Sequence, residues 1–348
     1  MASQAVAQTK IPLCPGLTIV GAISEPRGDY EAIITVESID SHGVNLRYSA
    51  QVETPGAIRN VTVRRTVLPQ DIRNARLVVS WFNSSAPRTL PGTTAFGPSA
   101  SVLRSLKTKG EAEIGSIERS NSSLSADRGV HPNVFDHELV FKVRRVGAPV
   151  ATSVIVNNNK VNLPAIRAEG ENMGDRAEWL ILDDADHPIG LAFRLTTLSG
   201  ATTLSRVVKI SYACTENRNA TSTAAVNEIE KSLLETRRAD VYQIYFDFNS
   251  DRIREESEPT LKQIADALSR HADWKLGIEG HTDNIGGASY NLTLSQRRAA
   301  AVKSALIQRY RIDATRLTSS GAGLSRPKDT NTTLEGRARN RRVELVRT

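Results

Sequence analysis

Ile278-Glu279-Gly280-His281-Thr282-Asp283-Asn284 decides how the last third of this 348-residue chain folds. Lys275 to Glu279 alternates as a strand that runs into Gly280. A loop carrying Asp283, Gly286 and Gly287 follows. Beyond it, about Ser289 to Tyr310 reads as a helix, with Leu294, Ala301, Val302, Ala305 and Leu306 on one side. Upstream, Ile244-Tyr245-Phe246-Asp247-Phe248 is expected as a compact apolar strand. Ser257-Glu258-Pro259 then opens a helix with a capping serine and a proline in its first turn, and Leu261, Ile264, Ala265 and Leu268 share one face. Downstream, Ser319 to Gly323 reads as a turn and Arg341 to Val346 as a final alternating strand. Strand, helix, strand, helix, strand from Val241 to Thr348 predicts a compact α/β layer.

Two charged residues in this region stand out. Asp283 lies just past a strand end in a glycine-bearing loop, where backbone amides can approach a ligand closely. Its carboxylate could accept a ligand ammonium, or it could cap its own turn. On a helical wheel Arg298 falls about 40° from Leu294 and about 20° from Ala305, inside the apolar stripe. Arg297 points to the edge of that stripe and is expected in solvent. A guanidinium placed like Arg298 is costly to bury unless a carboxylate meets it. That carboxylate is either a ligand's, captured by the planar fork, or an internal one from Asp283 or Asp247. An acid and an arginine set this way suit a small zwitterion. Arg341 and Arg342, at the start of the last strand, are expected to point one toward this site and one toward solvent.

The ordered pieces resemble one family. Tyr245-Phe246-Asp247-Phe248-Asn249-Ser250, Gly280-His281-Thr282-Asp283, Gly286, Tyr290-Asn291, Leu294-Ser295, Arg297-Arg298-Ala299, Gly321-Ala322-Gly323, Pro327, Asn331-Thr332, Gly336-Arg337-Ala338 and Asn340-Arg341-Arg342-Val343-Glu344 occur in the order of the OmpA-like peptidoglycan-binding domain. That domain is shared by OmpA-type outer-membrane proteins, peptidoglycan-associated lipoproteins and flagellar stator anchors. The resemblance implies an α/β sandwich that holds peptidoglycan non-covalently through the diaminopimelate of the stem peptide. Carried over position by position, Asp283 and Arg298 match the acid and arginine that grip the zwitterionic end. Asp247, Asn249, Asn291, Leu294 and Arg341 match supporting pocket positions.

The remainder of the chain reads differently. Tyr30 to Val36 and Val44 to Val52 flank Asp40-Ser41-His42-Gly43 as a hairpin. Val61 to Val67, Arg76 to Trp81, Leu139 to Val146, Ser153 to Val156, Trp179 to Leu182 and Leu191 to Leu195 extend the strand pattern. Asn83 to Ser101 is a Ser/Gly/Pro-rich zone, Ser101 to Lys107 a short helix, and Gly115 to Pro132 a long polar loop. Short strands between turns argue for a β-rich, sandwich-like module. A membrane barrel would need ten-residue alternating segments between aromatic girdles, and the ten aromatics before Cys214 do not flank strands that way. Thr215 to Thr223 reads as linker, and Ala224 to Arg238 as a lead-in helix through Val226, Ile229, Leu233 and Leu234.

The expected organisation is an α+β two-domain chain. Residues 1–12 form a flexible tail, 13–215 the β-rich module of unknown role, 216–240 a linker and lead-in helix, and 241–348 the OmpA-like domain. Hydrophobic content of 39% and charged content of 24% fit a globular protein, and the net charge of +7 favours an anionic partner: nucleic acid, acidic headgroups or an acidic polymer such as a cell wall. No aromatic platform or recognition helix accompanies the arginines, so nucleic acid is not expected. No apolar run of about 18 residues is present, so no spanning helix is expected. Met1 to Lys10 lacks the apolar core of an export signal, so the chain is either a mature form with its signal removed or cytosolic. Cys14 and Cys214 either clasp the first module as a disulfide in an oxidising compartment or are two unrelated buried thiols. The six histidines and two cysteines show no metal spacing. Asp183, Asp184, Asp186 and His187 read as an acidic turn ending at Pro188 or as a cation site. No cofactor is expected.

Together these readings give a non-catalytic envelope protein anchored to peptidoglycan, in the periplasm of a Gram-negative cell and associated with the outer membrane. Its β-rich module would meet envelope partners. The alternatives are a wall-tethered enzyme, or an adhesin or assembly factor, with the activity in that module.

Overall fold

The computed structural model describes residues 10–26, 28–54, 57–79, 88–117, 138–214 and 228–348. Trp81, residues 1–9, residues 83–87 of the Ser/Gly/Pro-rich zone, most of the expected polar loop and the linker at 215–223 lie outside them, as do the first residues of the lead-in helix. Contacts divide the chain into two compact units, Met1–Val154 with Val161–Cys214, and Ile155–Lys160 with Thr215–Thr348.

In the first unit, the Asp40 turn shows how sequence sets register. Asp40 Oδ1 accepts from the backbone N–H groups of His42 and Gly43, at 2.8 and 3.2 Å. Gly43 takes φ +142°, and a Cβ there would run into the Val67 carbonyl. The elements of this unit are β1 (Thr18–Glu25), β2 (Gly28–Asp40), β3 (Gly43–Thr54), β4 (Ala57–Val67), α1 (Pro69–Asn74), β5 (Leu77–Val79), β6 (Thr93–Thr94), α2 (Ala100–Thr108), β7 (Glu111–Ile117), β8 (Glu138–Arg145), β9 (Val150–Val156), β10 (Asn159–Asn172), β11 (Asp175–Leu182), β12 (Gly190–Thr196) and β13 (Thr202–Ser211). They form one hydrogen-bonded path, β4-β3-β2-β1-β13-β12-β11-β10-β8-β7-β5-β6, with β9 on β10 and β13. The sandwich-like module expected from the sequence is one hydrogen-bonded sheet, and because β9 pairs with both β10 and β13 the strands β9 to β13 close into a ring. Its ladder never breaks because β1 pairs with both β2 and β13, with a register shift at Val20/Gly21, and the 14-residue β10 pairs with both β8 and β11.

One core cluster packs Leu103 and Leu106 of α2 against Phe141, Ile166, Trp179 and Ile181. Cys14 and Cys214 are disulfide-bonded, with Cα atoms 5.9 Å apart. The expected flexible tail ends earlier than residue 12, because Ile11 is fully buried and Lys10 pairs with Asp186 at 3.2 Å.

The second unit adds α3 (Glu228–Thr236), β14 (Arg238–Val241), α4 (Glu258–Arg270), β15 (Leu276–His281), α5 (Ala288–Tyr310), β16 (Leu317–Gly323), α6 (Leu334–Asn340) and β17 (Val343–Arg347). Its four-stranded sheet runs β14-β17-β15-β16, with β15 and β16 parallel and the other pairs antiparallel. Alternation decides its faces. Val241, Leu276, Ile278, Leu317, Val343 and Leu345 join Ile229, Leu233, Leu261, Ile264, Leu268, Val302 and Leu306 in one core. The lead-in helix α3 and strand β14 are thus part of the domain's core and sheet rather than a linker before it.

Three local expectations change. Ile244–Phe248 is not a strand; the sheet edge is β14, and Phe246 makes an isolated bridge to Ile253. Ser319–Gly323 is strand β16 rather than a turn. Ser257 does precede α4, but its hydroxyl makes no cap; it accepts from Tyr245 N at 2.8 Å and donates to Tyr245 O at 3.2 Å.

Candidate ligand-binding site

The site begins where β15 meets α5. Gly280 lies so close to α5 that a Cβ would strike the carbonyl of Ser295, and Gly321 of β16 meets Ser295 and Gln296 in the same way. Glycine at these two positions lets the strand pair and the helix approach to backbone contact. Ser295, fully buried, locks the junction: its hydroxyl donates to Leu292 O at 2.8 Å and accepts from Gly323 N at 2.9 Å. Thr282 N donates to Gly323 O at 3.0 Å, fixing the chain just before Asp283.

Asp283 is buried, and its two carboxylate oxygens serve two internal partners. Oδ1 caps the turn, accepting from Ile285 N at 3.0 Å. Oδ2 is the ion-pair partner of Arg341 Nη1. Asn291 holds the far side of the loop, its amide donating to Ile285 O at 3.0 Å and reaching Gly286 O at 3.4 Å. Leu294 is buried one turn further along α5.

Arg298 falls on the same helical face, seven residues after Asn291. Its Nε donates to Ser250 O at 2.9 Å, its Nη2 reaches Asp247 O at 3.5 Å, and its guanidinium carbon stands 4.9 Å from the Phe246 ring centroid. Among the internal partners of this half-buried arginine are main-chain carbonyls of the 246–253 turn. That turn is closed by Asp247 N to Arg252 O at 3.0 Å and Ser250 N to Asp247 O at 3.1 Å. Asn249, at φ +53° and exposed, occupies its left-handed position, which asparagine tolerates. Asp247 faces Arg252 at 3.6 Å. One face of α5 thus ties down two loops, the Asp283 loop through Asn291 and the Asp247–Ser250 turn through Arg298. Arg297 is exposed, as its wheel position requires.

The far face of the sheet holds a group that the sequence reading did not single out. Arg342 does not face solvent. It lies between α6 and β17, just before the strand, and its buried guanidinium reaches Asp240 Oδ1 at 3.0 Å, Glu344 Oε2 at 3.3 Å and the Arg326 carbonyl at 3.3 Å. Arg326 pairs with Glu279 at 2.8 Å and Lys328 with Asp240 at 3.1 Å. The signal was the alternation itself, since Glu279, His281 and Glu344 occupy the positions opposite the core. His281 lies among these charges. Its ring is buried with neither nitrogen hydrogen-bonded; Nε2 stands 3.3 Å from Glu279 and 3.6 Å from Glu344 without hydrogen-bond geometry. Burial, with the Arg342 charge adding to it, pushes the imidazole pKa down to about 4.

In the first unit, Asp184 settles the acidic turn. Its Oδ1 accepts from Asp186 N at 3.0 Å and His187 N at 3.4 Å, while Asp183 pairs with Lys107 and Asp186 with Lys10. No group of three or more metal-ligating side chains occurs among the described residues. No helix among them is long and apolar enough to cross a membrane.

A family model described as the OmpA family matches residues 245–341, which span both tied loops and Arg341. Residues 245–341 form an OmpA-family domain. Outer membrane porin F of Pseudomonas aeruginosa is 42% identical over 101 residues, 29% of this chain and 29% of that protein. Outer membrane protein A of Bordetella avium is 43% identical over 102 residues, 29% of this chain and 52% of that protein. Among solved structures, the peptidoglycan-associated lipoprotein from Burkholderia pseudomallei aligns at 32% identity over 30% of this chain and 88% of that one, with a TM-score of 0.28. The chain spans less than a third of porin F. Asp247, Asn249, Asp283, Asn291, Leu294, Arg298 and Arg341 all lie inside it.

Proposed function

We propose that the OmpA-family domain anchors this chain non-covalently to peptidoglycan, taking the diaminopimelate of a stem peptide at the site around Asp283 and Arg298. The observation that carries this reading is the buried Asp283 carboxylate, fixed by Ile285 N and Arg341, on a loop clamped by the same helix face that bears Arg298. Diaminopimelate presents an ammonium and a carboxylate on one carbon. Asp283 would accept from the ammonium, and the guanidinium groups of Arg298 and Arg341 would hold the carboxylate. Asn291 and Leu294 hold the wall behind the ligand, and Asp247 and Asn249 lie on the turn at its rim. Relatives named as outer-membrane proteins support an envelope setting. The Cys14–Cys214 disulfide fits an oxidising compartment such as the periplasm. The role is binding rather than catalysis, and the β-rich unit would serve envelope partners.

Cosedimentation of the full chain with purified diaminopimelate-type sacculi tests the reading. Wild type pellets with the wall, and Asp283→Ala and Arg298→Ala each reduce the pelleted fraction. Undiminished pelleting of both variants would overturn the site, and a wild type that stays in the supernatant would overturn the function.

A further inference from the structure

Two hairpin tips of the β-rich unit each hold a large apolar side chain in water. Met173 is 94% exposed and Leu198 is 78% exposed. The tips are neighbours, because β11 pairs with β10 on one side and β12 on the other, and β12 turns into β13. They are also joined. Leu198 N donates to Asp175 Oδ1 at 2.8 Å, and a Cβ on Gly174 would meet Leu198 Cδ1 at 2.8 Å. Met173 and Leu198 therefore form one apolar point on two linked hairpins.

The fold does not call for either residue. Met173 and Gly174, at φ +50° and +91°, are the two loop residues between paired Asn172 and Asp175. Positive φ at both is the type I′ turn, which favours Asn, Asp or Gly at its first position. The chain does so elsewhere: Asn157 and Asn158 turn β9 into β10 at φ +47° and +68°. A methionine in this conformation is strained and gains no burial in return. Leu198 sits in a loop closed by Thr197 N to Ala201 O at 2.9 Å and Gly200 N to Thr197 O at 2.8 Å, where its side chain stands mostly in water.

We propose that the Met173–Leu198 point inserts into the boundary between headgroups and acyl chains of an anionic phospholipid bilayer. A specific protein interface buries about 1,200 Å² or more. Two side chains on projecting turns, flanked by Asn172, Thr197 and Ser199, supply a small part of that. A bilayer needs no complementary shape and rewards each apolar group that leaves water. Nearby charge selects the headgroup. Glu171 is matched by Arg176 at 3.0 Å, and Glu169 and Glu178 by Arg167. The exposed Lys142 and Arg194, on β8 and β12 of the same strand group, form no ion pair among the described residues, and they outnumber Asp175, whose carboxylate accepts from Leu198 N.

Flotation of the full chain with vesicles of phosphatidylethanolamine and phosphatidylglycerol tests this without peptidoglycan, so its outcome is independent of the wall-binding site. Wild type is expected to float with these vesicles and less with phosphatidylcholine alone. The pair Met173→Asp and Leu198→Asp should lower partitioning about tenfold or more, from the lost transfer of two apolar side chains. The pair Met173→Asn and Leu198→Ser, suited to the turns, should lose flotation while melting no lower than wild type. Absence of wild-type flotation, or full flotation of either double variant, would overturn the proposal, as would capture of a protein partner without vesicle binding.

Discussion

Arg341, at the end of α6, closes onto Asp283, 58 residues earlier in the loop after β15. The carboxylate is thereby divided, with Oδ1 committed to the turn through Ile285 N and Oδ2 to Arg341. Substitution can separate these tasks. Asp283→Asn keeps a turn-capping oxygen and removes the charge; Asp283→Ala removes both. Asp283→Asn should lower sacculus binding about tenfold or more, the range of one charge-assisted hydrogen bond, with a small change in melting temperature. Asp283→Ala should lose binding and also melt earlier. Wild-type binding by the Asn variant would show that the charge serves the fold alone.

Arg298→Lys addresses geometry at constant charge. The guanidinium uses Nε and Nη2 on two carbonyls, and a lysine ammonium cannot reproduce that planar fork. We expect Arg298→Lys to remain folded and to bind sacculi several-fold to tenfold more weakly, because a carboxylate loses its bidentate partner. Equal binding by titration would assign Arg298 to bulk charge only.

The strand–loop–helix from Lys275 to Tyr310 was legible because its periodicities are local and unbroken. Ile244–Phe248 misled because a short apolar run can be a strand or simply a buried segment. Here the backbone is satisfied locally, Tyr245 N by Ser257 and Asp247 N by Arg252, so no sheet ladder is needed. Gly321 and its small neighbours looked like a turn, yet they are small because β16 lies against α5. In the first unit, β10 escaped notice, in part because Pro164 interrupts it. At the site, Asp283 and Arg298 were visible from pattern, but the Arg341–Asp283 pairing and the burial of Arg342 depend on contacts distant in sequence. One of Arg341 and Arg342 was expected in solvent, yet Arg342 is buried, because Asp240 and Glu344 meet its guanidinium on the far face of the sheet.

Gly280→Ala tests the close approach of β15 and α5. The added methyl would strike a main-chain carbonyl, which cannot swing aside as a side chain can. A cost of about 1–3 kcal/mol is expected from overpacking. Chemical denaturation should report it as a lower midpoint for the OmpA-family domain, with sacculus binding falling in parallel. An unchanged midpoint would refute the packing role.

The Cys14–Cys214 bond closes a 200-residue separation around the β-rich unit. Restricting so long an unfolded loop is worth about 2–5 kcal/mol. Calorimetry with and without a reductant should show a lower-temperature transition for this unit after reduction, and Cys14→Ser should reproduce it. A reduced protein melting as the oxidised one does would remove the disulfide from the stability argument.

His281 gives the OmpA-family domain a defined acid sensitivity. Its ring is buried beside Arg342, and its pKa is pushed down to about 4 from the ordinary 6.5. The sign follows from which state binds the proton more readily. Above pH 6.5 the imidazole is neutral in both states and costs nothing. Between pH 6.5 and about 4 the unfolded chain takes up a proton that the folded domain refuses, so stability falls as pH falls. The full difference is about 3 kcal/mol. Glu344 acts in the same direction at lower pH: burial raises that carboxyl, but Arg238, Lys328 and Arg342 more than offset the rise, so its contribution is lost as pH falls below the ordinary 4.5. NMR titration of the His281 ring should show no protonation above pH 5 in the folded protein. His281→Gln should flatten the loss of stability between pH 6.5 and 4, even if it lowers stability at neutral pH. A ring that titrates near 6.5, or a variant whose acid slope matches wild type, would assign the sensitivity to the carboxylates instead.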